Sequence, residues 1–265
     1  MGAPATSLSV VVPAFDEATC IESTLRALAR HLGAHHPASE IVVVDDGSRD
    51  DTAARARAAA AALPVPVRVL AYAGNRGKGH ALKVGFAAAR GARVLFTDAD
   101  LSTPLDAMDA LLARLDDGAD VAIGSRKREG AHVEVHQPWW RESMGRVFTA
   151  LVRLLVAPVS DATCGFKAFR GDAGRALFAA LRIDDWSFDA ELLFLAARRG
   201  LRVDEVPVTW RDQPGTKVRV VRDAAMSLLG LARIRWNALR GRYDAPAPSD
   251  ARIEAFENDA ARAAR

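Results

Sequence analysis

The chain has 265 residues, half of them hydrophobic and 26% charged, enough for one α/β domain or two small ones around a sizeable core. This composition excludes a disordered, collagen-like or low-complexity polypeptide, and two cysteines without a CxxC pair exclude a disulfide scaffold or zinc ribbon. A formal net charge of +3 permits contact with nucleic acid or anionic lipid and demands neither.

Strand and helix patterns alternate through the first half. Ser7–Val12 reads as a strand ended by Pro13, and Glu17–Leu32 has helical spacing. Strands are then predicted at Glu40–Val44, Val65–Tyr72, Arg93–Thr97 and Asp120–Gly124, separated by helices at Asp50–Ala62, Lys78–Arg90 and Pro104–Leu115. Short Val/Ile/Leu runs between helices imply a mostly parallel sheet covered on both faces. The second half is less regular. Lys127–Gln137 reads as a mobile polar loop, Pro138–Val156 as a helix and Thr163–Phe169 as a strand. Trp186–Arg199 is helical, Leu201–Trp210 a strand, and a helix runs from Arg222 to about Arg240. Residues 1–243 are expected to form one domain, with 244–265 a peripheral or flexible tail. No signal-peptide pattern and no run of about 18 apolar residues appears. The expectation is a cytoplasmic protein, at most peripheral on the cytoplasmic face of a membrane.

In a parallel sheet, ligands collect at the carboxyl ends of the strands. Three acidic clusters stand there: Asp16-Glu17, Asp45-Asp46 and Asp98-Ala99-Asp100. A single cluster is explained by helix capping, and Ser48 with Asp51 fits a capping box. Three at one edge repel each other, which points to a cation or a donor-rich ligand. Alternate residues of an extended segment face the same way, so Asp98 and Asp100 can share one ligand, and two hard oxygen donors suit Mg²⁺ or Mn²⁺. Asn75–Leu82 (NRGKGHAL) places glycines and Lys78 where a strand turns into a helix, a place for an anion. It fits neither a Walker A loop nor a dinucleotide fingerprint. The six histidines lack metal-ligand spacing and read as surface or loop residues. The dispersed arginines carry no nucleic-acid motif.

VVPAFDE, VVVDDGSRDDT, NRGKGHAL and TDADLS, followed by GSR, DATCGFKAF and WSFDAELLF, resemble family 2 glycosyltransferases of the GT-A fold. Within that family the resemblance is to polyprenyl-phosphate sugar transferases of the dolichyl-phosphate β-glucosyltransferase type, over Ser7 to Arg240. It implies a nucleotide-sugar pocket at Pro13, Ala14, Phe15, Glu17, Asp45, Asp46, Lys78, Asp98, Ala99 and Asp100, with Asp46 accepting from the base. It also implies a metal at Asp98 and Asp100, and an acceptor-phosphate wall of Arg126, Arg141 and Lys167. Asp189 corresponds to the family's catalytic base; with a phosphate acceptor it has the alternative role of orienting a neighbour. Glu191 would diverge from it by about 200° on a helix, so only Asp189 is expected in the site. UDP-glucose is the expected donor and a polyprenyl or dolichyl phosphate the acceptor. GDP-mannose, a soluble hydroxyl acceptor and a catalytically silent sugar-nucleotide binder remain open alternatives. Trp139–Leu155, with Met144, Val147, Phe148, Leu151, Leu154 and Leu155 on one face, is either an interfacial platform for the lipid or a helix packed on the sheet. The membrane-spanning segments of some relatives have no counterpart in the sequence.

Overall fold

The structure, a computed structural model, describes residues 6–133, 149–211, 220–244 and 253–264. Its centre is an eight-stranded mixed sheet. In chain order the first strands are β1 (Leu8–Ala14), β2 (Ser39–Asp45), β3 (Val67–Ala71), β4 (Arg93–Thr97) and β5 (Val121–Ser125). A short β6 (His132–Val133) follows, then β7 (Phe166–Arg170), β8 (Val203–Pro207), β9 (Thr209–Trp210) and β10 (Glu254–Glu257). The order across the sheet is β10-β3-β2-β1-β4-β7-β5-β8. β1 pairs in parallel with β2 and β4, β2 with β3, and β5 with β8. Every residue of β1 and β2 is buried, which is why both read as continuous apolar runs.

Helices cover both faces: α1 (Ile21–His35), α2 (Thr52–Ala61), α3 (Lys78–Ala88), α4 (Ala107–Asp116), a helical turn pair at 149–155 (α5), α6 (Gly171–Ala180), α7 (Phe188–Arg198), α8 (Val220–Leu239) and α9 (Asp259–Ala263). Alternate strand residues divide between two cores. Val11, Val42, Val44 and Phe96 pack under α3, α6 and α7, while Val10, Val12, Val43 and Leu95 pack under α1 and α4. In the first core Phe86 stacks on Phe178 at 3.8 Å and meets Phe169 edge-on at 5.2 Å.

Three features depart from the sequence reading. β7 enters antiparallel between β4 and β5, with Thr97 opposite Phe166 and Ile123 opposite Lys167. α6 had no counterpart in the pattern, because Gly171 and Gly174 lower its helix propensity. Both glycines are demanded by close packing: a Cβ on Gly174 would lie 2.9 Å from Phe86 and Phe169, and one on Gly171 2.5 Å from the Gly91 carbonyl. The expected strand Leu201–Trp210 breaks at Val208 into β8 and β9, and β9 pairs with β6 inside the stretch read as a mobile loop. The tail lies at the sheet's rim, but β10 is tied there as an antiparallel partner of β3.

Candidate active site

The parallel strands bring the ends of β1, β2, β3, β4 and β5 to one edge, and antiparallel β7 brings its beginning there. The acidic clusters and the 124–126 and 161–167 segments therefore meet, although more than a hundred residues separate the first from the last.

The loops after β1 and β2 are laced together. The amide of Asp16 donates to Ser48 Oγ at 2.9 Å, that of Glu17 to Thr52 Oγ1 at 2.8 Å, and Asp16 accepts from the Arg49 amide at 2.8 Å and its guanidinium at 2.6 Å. Asp16 holds this turn at φ 54°, a region an aspartate tolerates better than most side chains. Arg49 lies 5.5 Å over the Phe15 ring, and Pro13 and Ala14 are buried at the end of β1. Ser48 donates to Asp45 at 2.5 Å, and Asp50 accepts from the Thr52 amide, so the expected Ser48–Asp51 capping box is replaced by a bridge between loops. Burial pushes the Asp45 carboxyl up despite the Ser48 hydrogen bonds.

Asp46 is tied to the turn that follows β3. Its oxygens accept from Tyr72 Oη at 2.8 Å, Asn75 Nδ2 at 2.9 Å, and the amides of Arg76 and Gly77 at 2.8 and 2.9 Å. Four donors meet at the carboxylate, which braces the 75–77 turn. The anion held by this glycine turn is thus the protein's own. Gly77 is required there: its φ is 103°, and a Cβ would lie 2.3 Å from the Asp184 carbonyl. That carbonyl also accepts from the Gly79 amide at 2.9 Å.

Beyond this turn stand four charges in alternation. Lys78 Nζ donates to Asp98 Oδ1, and Lys167 Nζ donates to Asp189 Oδ1 at 2.6 Å and to the Cys164 carbonyl at 2.6 Å. The ammonium groups of Lys78 and Lys167 lie 5.9 and 5.3 Å from the centre of the Phe96 ring. Burial opposes the Lys78 charge, but Asp98, Asp189 and Asp100 together outweigh it and raise its pKa. Burial raises the Asp189 carboxyl even against Lys167 and Lys78. Lys167 is fully buried and anchors Asp189. Glu191 diverges as anticipated. It is fully buried and accepts from the amides of Arg182 and Ile183 and from Tyr243 Oη, at 2.9, 2.8 and 2.6 Å.

Asp98 and Asp100 follow β4. Gly165, which the sequence did not single out, permits this arrangement, since a Cβ there would lie 1.9 Å from Asp98 Oδ2. Asp100 Oδ1 accepts from the Ser102 amide at 2.9 Å, while among the described residues no donor reaches its Oδ2. Two hard carboxylates, one already beside a cation in Lys78, form a donor set that fits Mg²⁺ or Mn²⁺. Arg126, just past β5, is held by Asp161: Nε to Oδ2 at 2.7 Å, Nη2 to Oδ1 at 2.9 Å, and the backbone amide to Oδ2 at 3.0 Å. Its guanidinium stacks 5.4 Å from Trp210, and Nη1 has no hydrogen-bond partner among the described residues. Arg141, Met144 and Phe148 lie outside the described residues. In the described part of that helix Leu151 and Leu155 pack on the core, and of its leucines Leu154 points outward, 80% exposed.

Residues 9–178 match the profile of Glycosyl transferase family 2, with the acidic edge and the glycine turn inside the match. The chain belongs to glycosyl transferase family 2. It is 37% identical over 234 residues to a dolichyl-phosphate beta-glucosyltransferase of Drosophila melanogaster, covering 81% of this chain and 70% of that one. The human protein of that name is 32% identical over 232 residues, with the same two coverages. Glycosyltransferase AglD of Haloferax volcanii is 37% identical over 220 residues, covering 82% of this chain and 35% of that protein. Among solved structures, glucosyl-3-phosphoglycerate synthase of Mycobacterium tuberculosis in complex with UDP superposes with a TM-score of 0.65 at 23% identity, covering 86% of this chain and 80% of that one. This family 2 glycosyltransferase thus has the expected GT-A fold, and no helix of its described residues is long and apolar enough to cross a membrane.

Proposed function

We propose that this glycosyltransferase moves glucose from UDP-glucose to a polyprenyl or dolichyl phosphate with inversion. An acceptor phosphate oxygen forms the bond to the anomeric carbon as the bond to the leaving UDP breaks. The observation that carries this reading is the Lys167–Asp189 contact of 2.6 Å. A hydroxyl acceptor needs a base to take its proton, and here the carboxylate at the base position is committed to a buried ammonium. A phosphate oxygen is already anionic and needs no base. Asp189 then orients Lys167 and adds to the field that holds Lys78, and Arg126 offers Nη1 to the acceptor phosphate, Asp161 fixing its plane.

Asp98 and Asp100 would hold the divalent cation, which offsets charge on the departing diphosphate. The dolichyl-phosphate beta-glucosyltransferase names of the relatives support the acceptor and the sugar. The mycobacterial structure in complex with Mn²⁺ and UDP-glucose supports the donor and the metal class.

The test is a donor-by-acceptor screen: UDP-glucose and GDP-mannose against polyprenyl phosphate and 3-phosphoglycerate, with Mg²⁺ or Mn²⁺. Glucosyl polyprenyl phosphate is the expected product, lost in EDTA and restored by either ion. Asp100→Asn should fold normally and slow turnover at least about 100-fold, as loss of a main electrostatic stabiliser does. Turnover confined to 3-phosphoglycerate would remove the lipid acceptor, and full Asp100→Asn activity in chelator would remove the metal site.

A further inference from the structure

The six histidines lack metal-ligand spacing along the chain. Folding brings two of them together with an aspartate from a distant helix. His31 lies about one turn before the end of α1, His36 follows the helix as its C-cap, and Asp109 lies in the first turn of α4. One ring nitrogen of each histidine and one carboxylate oxygen of Asp109 lie within 4.8 Å of one another. His36 Nε2 is 2.9 Å from Asp109 Oδ1, so one edge of the triangle is already at contact. His31 Nε2 is buried and has no hydrogen-bond partner among the described residues. A buried polar nitrogen without a partner is destabilising, which a ligand at that atom would relieve. His31 also lines an open depression of about 440 Å³, together with Arg30, His35, Leu101, Leu105 and Asp106.

We infer that His31, His36 and Asp109 form a binding site for a transition-metal cation, Zn²⁺ by preference, separate from the carboxylate pair of the sugar-transfer site. Two imidazoles and one carboxylate are the donor set that Zn²⁺ takes with a water as fourth ligand, and the hard ions Mg²⁺ and Mn²⁺ compete poorly for imidazole. Tetrahedral Zn²⁺ at about 2.0–2.1 Å from each donor sets neighbouring donors about 3.3 Å apart. Side-chain rotation closes the remaining gap, since Asp109 is exposed and one edge of the triangle is already at contact. The bound ion would clamp the end of α1 to the start of α4. The start of α1 touches the acidic pair, where Thr24 donates to the Ala99 carbonyl at 2.5 Å, and Leu101 just beyond the pair lines the depression.

Tag-free protein should be titrated with Zn²⁺ in excess Mg²⁺, with calorimetric stoichiometry and melting temperature as readouts. Co²⁺ serves as a spectroscopic probe, because tetrahedral nitrogen and oxygen ligation gives intense d–d absorption. One equivalent of Zn²⁺ should bind and raise the melting temperature in both wild type and Asp100→Asn, which separates this site from the catalytic pair. His36→Ala should weaken that binding by more than about tenfold, the scale on which even outer-shell changes act. His31→Ala/His36→Ala should abolish both the binding and the Co²⁺ spectrum. If the double variant lost its fold, Asp109→Ala at the exposed position supplies the same comparison. Undiminished Zn²⁺ binding in a folded double variant, or displacement of Zn²⁺ by Mg²⁺, would overturn the assignment.

Discussion

Asp161 shows how much one carboxylate governs at the candidate acceptor end. It is fully buried, and burial alone would raise its pKa, yet Arg126 holds it down at about 2 from an ordinary 3.8. A carboxyl whose folded pKa lies below its unfolded value stabilises the fold above the unfolded pKa. That stabilisation fades as pH falls through the folded pKa. The gap corresponds to about 2 kcal/mol, lost between roughly pH 4 and pH 2. Wild type and Asp161→Asn should therefore converge in stability by about that amount over this window, as read by urea unfolding. Asp161→Asn should also be less stable at pH 7, since it leaves Arg126 without its counter-charge. Parallel pH profiles for the two proteins would show that the pair carries no such linkage. Asp161 was visible in the sequence only as part of DATCGFKAF, without a role. Its importance lies in a contact to Arg126, 35 positions earlier, that no local pattern encodes. Asp46 illustrates the converse. Its place at a strand end was legible, but Tyr72, Asn75, Arg76 and Gly77, which consume its oxygens, reach it only because β2 and β3 are neighbours.

At the scale of elements, parallel pairing was the most legible property because it buries both faces of a strand and so leaves continuous apolar runs at β1, β2 and β4. The antiparallel β7 carries no such mark. Phe166, Ala168 and Phe169 are as apolar as a parallel strand, and direction is not written in hydrophobicity. The tail was harder still, since the Pro- and Ala-rich stretch before β10 obscures one decisive side chain. Asn258 is buried, and its Oδ1 accepts from the amides of Val67 and Ala261 at 3.0 and 2.8 Å. Its Nδ2 donates to the carbonyls of Ala60 and Val65 at 3.1 and 2.9 Å. These bonds end α2, start α9 and fix β10 against the edge of β3, which would otherwise offer an open ladder to other chains. Asn258→Ala should cost about 2–3 kcal/mol, because it strands several buried backbone groups at once. UDP binding should remain within a few-fold, since the acidic edge is untouched. A variant melting like wild type would mean that β10 contributes nothing to the sheet's stability.

Across the whole molecule, the candidate site opens beside an apolar surface. α8 buries Leu231 and Ile234 while Met226, Leu228, Leu229, Trp236 and Leu239 stay 41–83% exposed. The helix is held next to the site: a Cβ on Gly230 would lie 2.1 Å from Ser187 Oγ, and Arg233 pairs with Asp185 at 3.0 Å. Between Ser187 and Asp185 stands Trp186, 60% exposed and 5.7 Å from Lys78 Nζ. We propose that this surface carries the hydrocarbon of the acceptor, with Arg235 and Arg240 meeting anionic headgroups. Full burial of a large apolar side chain contributes about 1.5–3 kcal/mol, so half-burial of three in the headgroup layer contributes about 2–4 kcal/mol. Changing Met226, Leu229 and Trp236 together to Ser should weaken binding to anionic vesicles at least about tenfold and raise KM for long-chain polyprenyl phosphate. The melting temperature should hold, because all three side chains are exposed in the folded protein. A short-chain acceptor phosphate should be used equally well by both proteins, which separates loss of the platform from damage to the site. Added salt should release part of the wild-type protein from vesicles by screening the arginines. Unchanged vesicle binding and unchanged long-chain kinetics in the folded triple variant would exclude α8 as the platform.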